Sequence, residues 1–158
     1  MLFIFDLDDT LYDCTGQMTE QNKWQDVLSI SLFPGVKELL STLSARKILI
    51  TKETDLGLQD KKIETLGVRS FFDRIVICRS NEEKKEEFQK IKQEFPEEEV
   101  WVIGDRVDAE VKYANELGWK TVHLCHGKHK SRTPQEKLEV PDFQITTFME
   151  LQQILCKQ

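Results

Sequence analysis

The chain of 158 residues lacks the features that mark secreted and membrane-spanning proteins. Its four cysteines lie far apart and form no Cys-x-x-Cys pair, so we expect free thiols in a reducing compartment rather than a disulfide framework. No uninterrupted apolar run reaches the roughly 18 residues of a membrane helix, and no basic segment precedes the short apolar start. The sequence therefore predicts a cytoplasmic protein with neither a signal peptide nor a membrane span.

The balance of apolar and charged residues is that of a globular domain. Hydrophobic residues make up 39% of the chain and charged residues 32%, which argues against a disordered chain. A chain of this length buries about 70% of its unfolded surface, so we expect one domain over residues 1–158. The net charge of −6 owes much to the glutamate-rich stretch 82–99, which we interpret as a solvated helix face. Duplex nucleic acid is not an expected partner of such an acidic protein.

Short apolar runs alternate with helical patterns along the chain. Such alternation predicts a parallel sheet with right-handed helical crossovers. We therefore expect an α/β, Rossmann-like fold of three layers, with a central parallel sheet of about five strands flanked by helices. The predicted strands cover residues 2–5, 47–51, 74–78, 100–103 and 121–124, with a short edge strand at 143–145. One predicted helix begins at Pro34-Gly35, and four more cover about 57–66, 82–95, 107–117 and 147–156. Residues 13–33 form a short, weakly helical insert.

Polar residues stand where three of these strands end. Asp6 and Asp8 follow the first strand, Thr51 ends the second, and Asp105 follows the fourth. In open α/β sheets, ligands bind outside the carboxyl ends of the strands, so we expect these side chains to meet in one crevice. Several carboxylates together favour a hard cation such as Mg²⁺, which also binds phosphate oxygens. An acid at a strand end can equally serve as a helix N-cap, so the prediction depends on the combination.

The order of these residues resembles the haloacid dehalogenase-like hydrolase superfamily over nearly the whole chain. The Asp-x-Asp-x-Thr motif of that family is similar to residues 6–10, Asp-Leu-Asp-Asp-Thr. The resemblance implies that Asp6 attacks phosphorus to form an aspartyl-phosphate, while Asp8 protonates the leaving group and then activates water. It implies that Thr51 binds a phosphate oxygen. Asp105 is implied to hold Mg²⁺ together with Asp6 and Asp8, the latter also through its backbone carbonyl.

A lysine that neutralises the phosphate and the nucleophile is a further part of the family pattern. It falls within residues 81–85, Asn-Glu-Glu-Lys-Lys. Lys84 is favoured, and Lys85 is the alternative because the spacing along the helix does not separate them.

Two departures from the family pattern concern acidic residues. Glu110 stands where the last acid of the Gly-Asp segment is commonly Asp, and Asp108 lies nearby as an alternative. Either acid is a candidate to surround the metal site or to bind the metal. Glu53 replaces a glycine that is usual in the loop after Thr51, which exchanges a flexible residue for an acid beside the phosphate.

The predicted site has little to cover it. Only the insert at 13–33 separates the first motif from the next helix, and the span after Thr51 holds one helix and one strand. We therefore expect a cap-poor, open site. Such a site admits a phosphorylated protein, or a phosphorylated small molecule if a loop or an oligomer partner supplies the lid. Asp8 favours a phosphatase over a dehalogenase, because displacement of halide needs no acid for the leaving group.

Two other functions fit the same residues. A catalytically silent relative would bind a phosphorylated partner in the same crevice, and a phosphotransferase would pass the group to an acceptor other than water. A further cluster near the end of the fifth strand consists of His123, Cys125, His126 and His129. Its spacing fits no familiar zinc motif, so we favour local structure or substrate contact over a zinc site.

Overall fold

The computed structural model of the protein describes residues 1–157 and contains one sheet with helices on both faces. The strands are β1 (Leu2–Phe5), β2 (Arg46–Lys52), β3 (Arg74–Cys78), β4 (Val100–Gly104), β5 (Lys120–Leu124) and β6 (Phe143–Ile145). The helices are α1 (Cys14–Gln17), α2 (Lys23–Asp26), α3 (Val36–Thr42), α4 (Leu58–Leu66), α5 (Asn81–Glu94), α6 (Lys112–Glu116) and α7 (Phe148–Leu155). The predicted α/β fold is confirmed, with six strands rather than about five. None of these helices within 1–157 has the length and apolar character needed to cross a bilayer.

Apolar residues of β1 cover both faces of the sheet. Phe3 and Phe5 pack on the face that carries α3, α4 and α7, whereas Leu2 and Ile4 pack on the face that carries α5 and α6. All four side chains are at most 1% exposed. The continuous apolar run at the start of the sequence is thus a strand buried on both faces, as expected for a parallel sheet.

The order of the strands opens a crevice between β1 and β4. The order is β3-β2-β1-β4-β5-β6 with all neighbours parallel, so the chain moves outward from β1 in one direction and from β4 in the other. The loops after β1 and β4 therefore diverge at the carboxyl edge of the sheet. The backbone N–H of Asp6 donates to the carbonyl oxygen of Ile103 at 3.0 Å, which holds the two strand ends side by side.

Two segments differ in detail from the prediction. The insert at 13–33 contains only the four-residue helices α1 and α2 and a 3-10 turn at Val27–Ser29, because its sparse apolar residues support no longer stripe. The helix predicted over 107–117 begins with a wide, π-type turn at Val107–Val111 and continues as α6. This turn carries Glu110, which is 3% exposed. Such turns are frequent at functional sites.

Candidate active site

A buried lysine joins two carboxylates at the crevice between β1 and β4. Asp6 is 7% exposed, and Lys84 in the first turn of α5 is 3% exposed. The Lys84 Nζ lies 2.7 Å from Asp6 Oδ1 and 2.5 Å from Glu110 Oε1. The Ser80 side chain caps α5 and so fixes the direction of the turn that carries Lys84. Asp105, at the end of β4, is buried beside this group.

The neighbouring lysine lies outside the crevice. The Nζ of Lys85 is 2.6 Å from Glu116 Oε2 on α6, and its side chain is 40% exposed. It also lies over the ring of Tyr113. Of the two lysines that the sequence left open, the structure therefore brings Lys84 and not Lys85 to Asp6.

Burial and crowding of negative charge raise the pKa values of two carboxyl groups. Removal from water raises the pKa of Asp6 to about 7, although Lys84 acts in the opposite direction. Burial, together with the charges of Glu110 and Asp6, raises the pKa of Asp105 to about 9. Burial alone would lower the pKa of Lys84, but Asp6 and Glu110 raise it, so this lysine stays charged. One ammonium is thus too little positive charge for three carboxylates.

The carboxylate oxygens at this site that lack a hydrogen-bond partner suit a hard divalent cation. Glu110 Oε2 is buried and has no hydrogen-bond partner in the described part of the chain. A cation close to Asp6 and Asp105 would favour their charged forms and offset the effect of burial. Mg²⁺ prefers a few carboxylate oxygens with water and phosphate as its remaining ligands. The carboxylates of Asp6, Asp105 and Glu110 are therefore of the chemical type that Mg²⁺ binds.

The side chains predicted from the strand ends line one small inner cavity. It has a volume of about 120 Å³. Thr51 is 1% exposed there, and its hydroxyl oxygen accepts a hydrogen bond from Gln59 Nε2 at 2.7 Å. The predicted residues in its lining are Asp6, Asp8, Thr51, Lys84, Asp105 and Glu110. The fold thus brings residues from β1, β2, β4 and α5 to one place.

The Asp8 carboxylate has surroundings unlike those of Asp6. Its Oδ1 accepts hydrogen bonds from Lys62 Nζ at 2.8 Å and Tyr12 Oη at 2.7 Å. Its Oδ2 accepts one from Gln59 Nε2 at 3.0 Å. Burial would raise the pKa of Asp8, but Lys62 and the other donors hold it below its usual value. Asp8 is therefore a charged carboxylate turned toward α4 and Tyr12.

Tyr12, Gln59 and Lys62 were not predicted as part of the site. The two α4 residues did leave a signal in the sequence. Gln59 and Lys62 are three positions apart on the buried face of α4, next to Ile63 and Leu66. Polar residues within an otherwise apolar helical stripe indicate a polar partner in the interior.

Two acids predicted to lie close to the site have other partners. Asp108 accepts hydrogen bonds from the Arg106 guanidinium at 3.1 and 2.8 Å. Glu53 Oε2 accepts one from the backbone N–H of Gly57 at 3.2 Å, at the start of α4. Neither acid is among the residues that line the inner cavity. Glu53 therefore supports α4 rather than facing the cavity.

The histidines near the end of β5 have separate surroundings. His123 Nε2 lies 3.0 Å from the carbonyl oxygen of Asp105, so it supports the loop after β4. His126 Nε2 lies 2.9 Å from Asp13 Oδ1, and His129 lines the inner cavity. The cluster thus divides between structural contacts and the site.

Asp9, Asp13 and His126 have ligand atoms within 4.8 Å of one another. Asp9 accepts hydrogen bonds from both the backbone N–H and the hydroxyl of Thr15, at 2.8 and 2.6 Å. Asp13 accepts one from the backbone N–H of Gly16 at 2.7 Å. The bonds of Thr15 tie the insert to the loop after β1, and the contact of His126 with Asp13 ties it to the loop after β5. These contacts account for the grouping.

A groove of about 390 Å³ adjoins the inner cavity. One wall is the insert, with Cys14 and Met18, and the other is α4, with Leu58 and Lys62. Asp8 lines both the groove and the inner cavity. The site that was expected to be open is therefore walled on two sides by the insert and α4.

Comparison with known proteins identifies relatives of the chain. The family model of the haloacid dehalogenase-like hydrolases matches residues 22–118. A glyceraldehyde 3-phosphate phosphatase of Methanocaldococcus jannaschii is 31% identical over 149 residues, which cover 89% of this chain and 63% of that protein. A protein of the same name from Methanopyrus kandleri is 34% identical over 99 residues, 59% of this chain and 42% of that one. The chain thus spans less than two thirds of the length of either relative.

Solved structures share the fold. The HAD-hydrolase YfnB of Bacillus subtilis, determined with magnesium, has a TM-score of 0.70 at 18% identity, with 98% of both chains covered. An L-2-haloacid dehalogenase of Xanthobacter autotrophicus has a TM-score of 0.71 at 11% identity, with 99% of this chain and 98% of that chain covered. At such identities the likeness extends to the fold alone.

The contacts of Lys84 and Lys85 predict that replacing the first lysine lowers the free energy of unfolding more than replacing the second. Lys84→Met leaves Asp6 and Glu110 buried without a cation, so the free energy of unfolding should fall by about 3 kcal/mol or more at neutral pH. Lys85→Met removes a half-exposed ion pair and should cost at most about 1 kcal/mol. Urea unfolding followed by circular dichroism measures both values. Equal losses in the two variants would contradict the assigned geometry.

The raised pKa of Asp105 predicts how stability depends on pH. The folded protein keeps a proton on Asp105 that the unfolded chain releases, so this contribution is full below pH 3.8 and is lost as pH rises through about 9. The melting temperature of metal-free protein should therefore fall over this window. Asp105→Asn, which carries no charge, should show a smaller fall in scanning calorimetry with chelator present.

Asp60→Asn is the matched control for this measurement. Asp60 is an exposed residue of α4 paired with Arg69, and its replacement should leave the slope of melting temperature against pH unchanged. A slope for Asp105→Asn as steep as that of the wild type would refute the prediction.

Proposed function

We propose that this chain, which belongs to the haloacid dehalogenase-like hydrolase family, hydrolyses phosphate monoesters with Asp6 as nucleophile and Mg²⁺ as cofactor. The observation that carries the proposal is the buried contact of 2.7 Å between Lys84 and Asp6 at the carboxyl end of β1. A cation bound to a carboxylate beside a small polar cavity suits the binding of an anionic phosphoryl group. The Lys84 ammonium also fixes the position of the Asp6 carboxylate, whose oxygen attacks the phosphorus.

Asp6 and Asp8 divide the chemistry between them. In the first step an Asp6 carboxylate oxygen bonds to phosphorus, the ester P–O bond breaks, and the leaving oxygen takes a proton from Asp8. In the second step water attacks the same phosphorus and gives a proton to Asp8. The bond between phosphorus and Asp6 then breaks, which releases inorganic phosphate and restores both side chains.

The substrate itself assists the acid step. Lys62 keeps Asp8 charged in the ligand-free protein, whereas the first step needs Asp8 in its protonated form. A phosphate group next to Asp8 places like charge beside the carboxylate and so raises the pKa of Asp8. Arrival of the substrate thus favours the protonation state that departure of the leaving group requires.

Thr51, Lys84 and the acids around them bind the phosphoryl group and the cofactor. The Thr51 hydroxyl is a donor for one phosphate oxygen, and Lys84 offsets negative charge on the group. Asp6, Asp105 and the backbone carbonyl of Asp8 would hold Mg²⁺. When bound, this ion offsets the charge of the phosphoryl group and of Asp6. Glu110 holds Lys84 from the far side, at 2.5 Å.

The dimensions of the site support a small substrate. The inner cavity of about 120 Å³ suits a phosphoryl group, and the groove of about 390 Å³ lies within the range of small-molecule sites. Asp8 lines both spaces, so a leaving group in this groove lies next to the proposed acid. We therefore propose a short-chain phosphorylated metabolite rather than a phosphoprotein, and the glyceraldehyde 3-phosphate in the relatives' names is of this kind.

The cysteines support a cytoplasmic setting for this activity. Cys14, Cys78, Cys125 and Cys156 are all free. Free thiols persist in reducing compartments. An oligomer partner is not needed as a lid in this proposal, since the insert and α4 already wall the groove.

Hydrolysis of an aryl phosphate with and without Mg²⁺ tests the proposal. Turnover should require the metal, and Asp6→Asn should lower it by about 10⁴-fold or more because the nucleophile is lost. Asp8→Asn should lower it by about 10²- to 10⁴-fold, the usual contribution of acid and base catalysis. Initial rates at saturating substrate measure these effects.

Asp60→Asn, on the exposed face of α4, serves as the control and should keep wild-type turnover. Full activity in Asp6→Asn would rule out this nucleophile. A folded wild type that hydrolyses neither aryl nor small alkyl phosphates would instead favour a catalytically silent binding protein.

A further inference from the structure

The Asp8 carboxylate is held by side chains that do not belong to the strand-end motifs. Lys62 and Gln59 come from α4, and Tyr12 comes from the segment before α1. The three contacts to Asp8 measure 2.8, 3.0 and 2.7 Å. Both carboxylate oxygens are engaged, so the direction of the carboxylate is fixed by residues outside β1.

Lys62 is buried, and its ion pair with Asp8 offsets the free-energy cost of removing the ammonium from water. The residue is 5% exposed, and the carboxylate within ion-pair distance of its Nζ among residues 1–157 is Asp8. Its Nζ also lies 6.0 Å from the centre of the Tyr12 ring. Taking an ammonium out of water costs several kcal/mol even after relaxation. The Asp8 side chain at the other end is 31% exposed, so the pair faces the groove rather than the core.

Gln59 connects Asp8 with Thr51. Its side-chain nitrogen donates to Asp8 Oδ2 at 3.0 Å and to Thr51 Oγ1 at 2.7 Å. An amide nitrogen carries two protons, so both of its donors are used. The residue is 1% exposed. Through Gln59, α4 thus sets the spacing between the proposed acid and a proposed phosphate ligand.

We propose that Lys62 is a positioning residue that, with Gln59, fixes the Asp8 carboxylate at the junction of the inner cavity and the groove, where the leaving oxygen has to lie. This inference rests on the proposed phosphatase function. A leaving oxygen needs a well-placed proton donor more as it becomes more basic. Loss of Lys62 should therefore affect alkyl phosphates far more than aryl phosphates.

Lys62→Met tests the inference, because methionine keeps the length of the side chain and removes the ammonium. The quantity to measure is kcat/KM with Mg²⁺ for glycerol phosphate and for p-nitrophenyl phosphate, since this ratio reports the steps up to departure of the leaving group. We expect a loss of about 30-fold or more for the alkyl ester and less than about 3-fold for the aryl ester.

Lys61→Met is the matched control. Lys61 is the preceding residue of α4, and its Nζ pairs with Glu64 at the surface, 2.9 Å away. Both substrates should keep wild-type kcat/KM in this variant. If Lys62→Met does not fold, Tyr12→Phe takes its place, because it also removes a donor to Asp8, leaves the contact between Gln59 and Thr51 intact and should show the same preference for loss on the alkyl ester.

Equal losses on the two substrates, or faster hydrolysis of the alkyl ester, would overturn the positioning role of Lys62. These outcomes differ from failure of the proposed function. In that case the wild type would hydrolyse neither ester, whereas failure of the Lys62 inference leaves the wild type active on both.

Discussion

The site depends on one ammonium group that two buried carboxylates share. The contact between Lys84 and Asp6 joins residues 78 positions apart, and the contact between Lys84 and Glu110 spans 26. Together the two contacts require the end of β1, the start of α5 and the wide turn after β4 to meet at one point. Buried charges are stable only when they are paired and hydrogen-bonded, so this pairing fixes the relative position of the three elements. Asp105 is a third buried carboxyl group, which Lys84 does not keep charged, and a bound divalent cation would favour its charged form.

Asp6 and Asp8 are only two residues apart, yet their surroundings shift their pKa values in opposite directions. Burial raises the pKa of Asp6, whereas Lys62 and its neighbours lower the pKa of Asp8. The metal ion and the substrate of the proposed reaction each oppose one of these two pKa shifts. A bound cation favours the charged form of Asp6, and a bound phosphate favours the protonated form of Asp8. Groups whose pKa values are driven apart by their surroundings commonly divide nucleophilic and acid-base roles between them.

Features encoded in short segments could be predicted from the sequence. The run Leu2 to Phe5 indicated a buried strand, and the polar residues that follow β1, β2 and β4 indicated the crevice. Features that depend on distant packing could not. The choice between Lys84 and Lys85 required the direction in which α5 leaves Ser80. The role of Lys62 required a contact across 54 positions.

Local surroundings also decided the function of single acids. Glu53 differs from the family pattern, yet its carboxylate supports the start of α4 through the backbone of Gly57. Such a contact leaves no trace in the spacing of residue types along the sequence. The insert, too, gave only a weak helical stripe, because its short helical turns are held by contact with α4 and the loop after β5 rather than by their own apolar periodicity.

Mass spectrometry of acid-quenched protein during turnover tests most directly whether the reaction passes through Asp6. With Mg²⁺ and an aryl phosphate present, we expect a peptide that carries one added phosphoryl group on Asp6 and loses it on treatment with hydroxylamine. Turnover without this adduct under conditions where departure of the leaving group is fast, or an adduct on a residue other than Asp6, would contradict nucleophilic attack by Asp6.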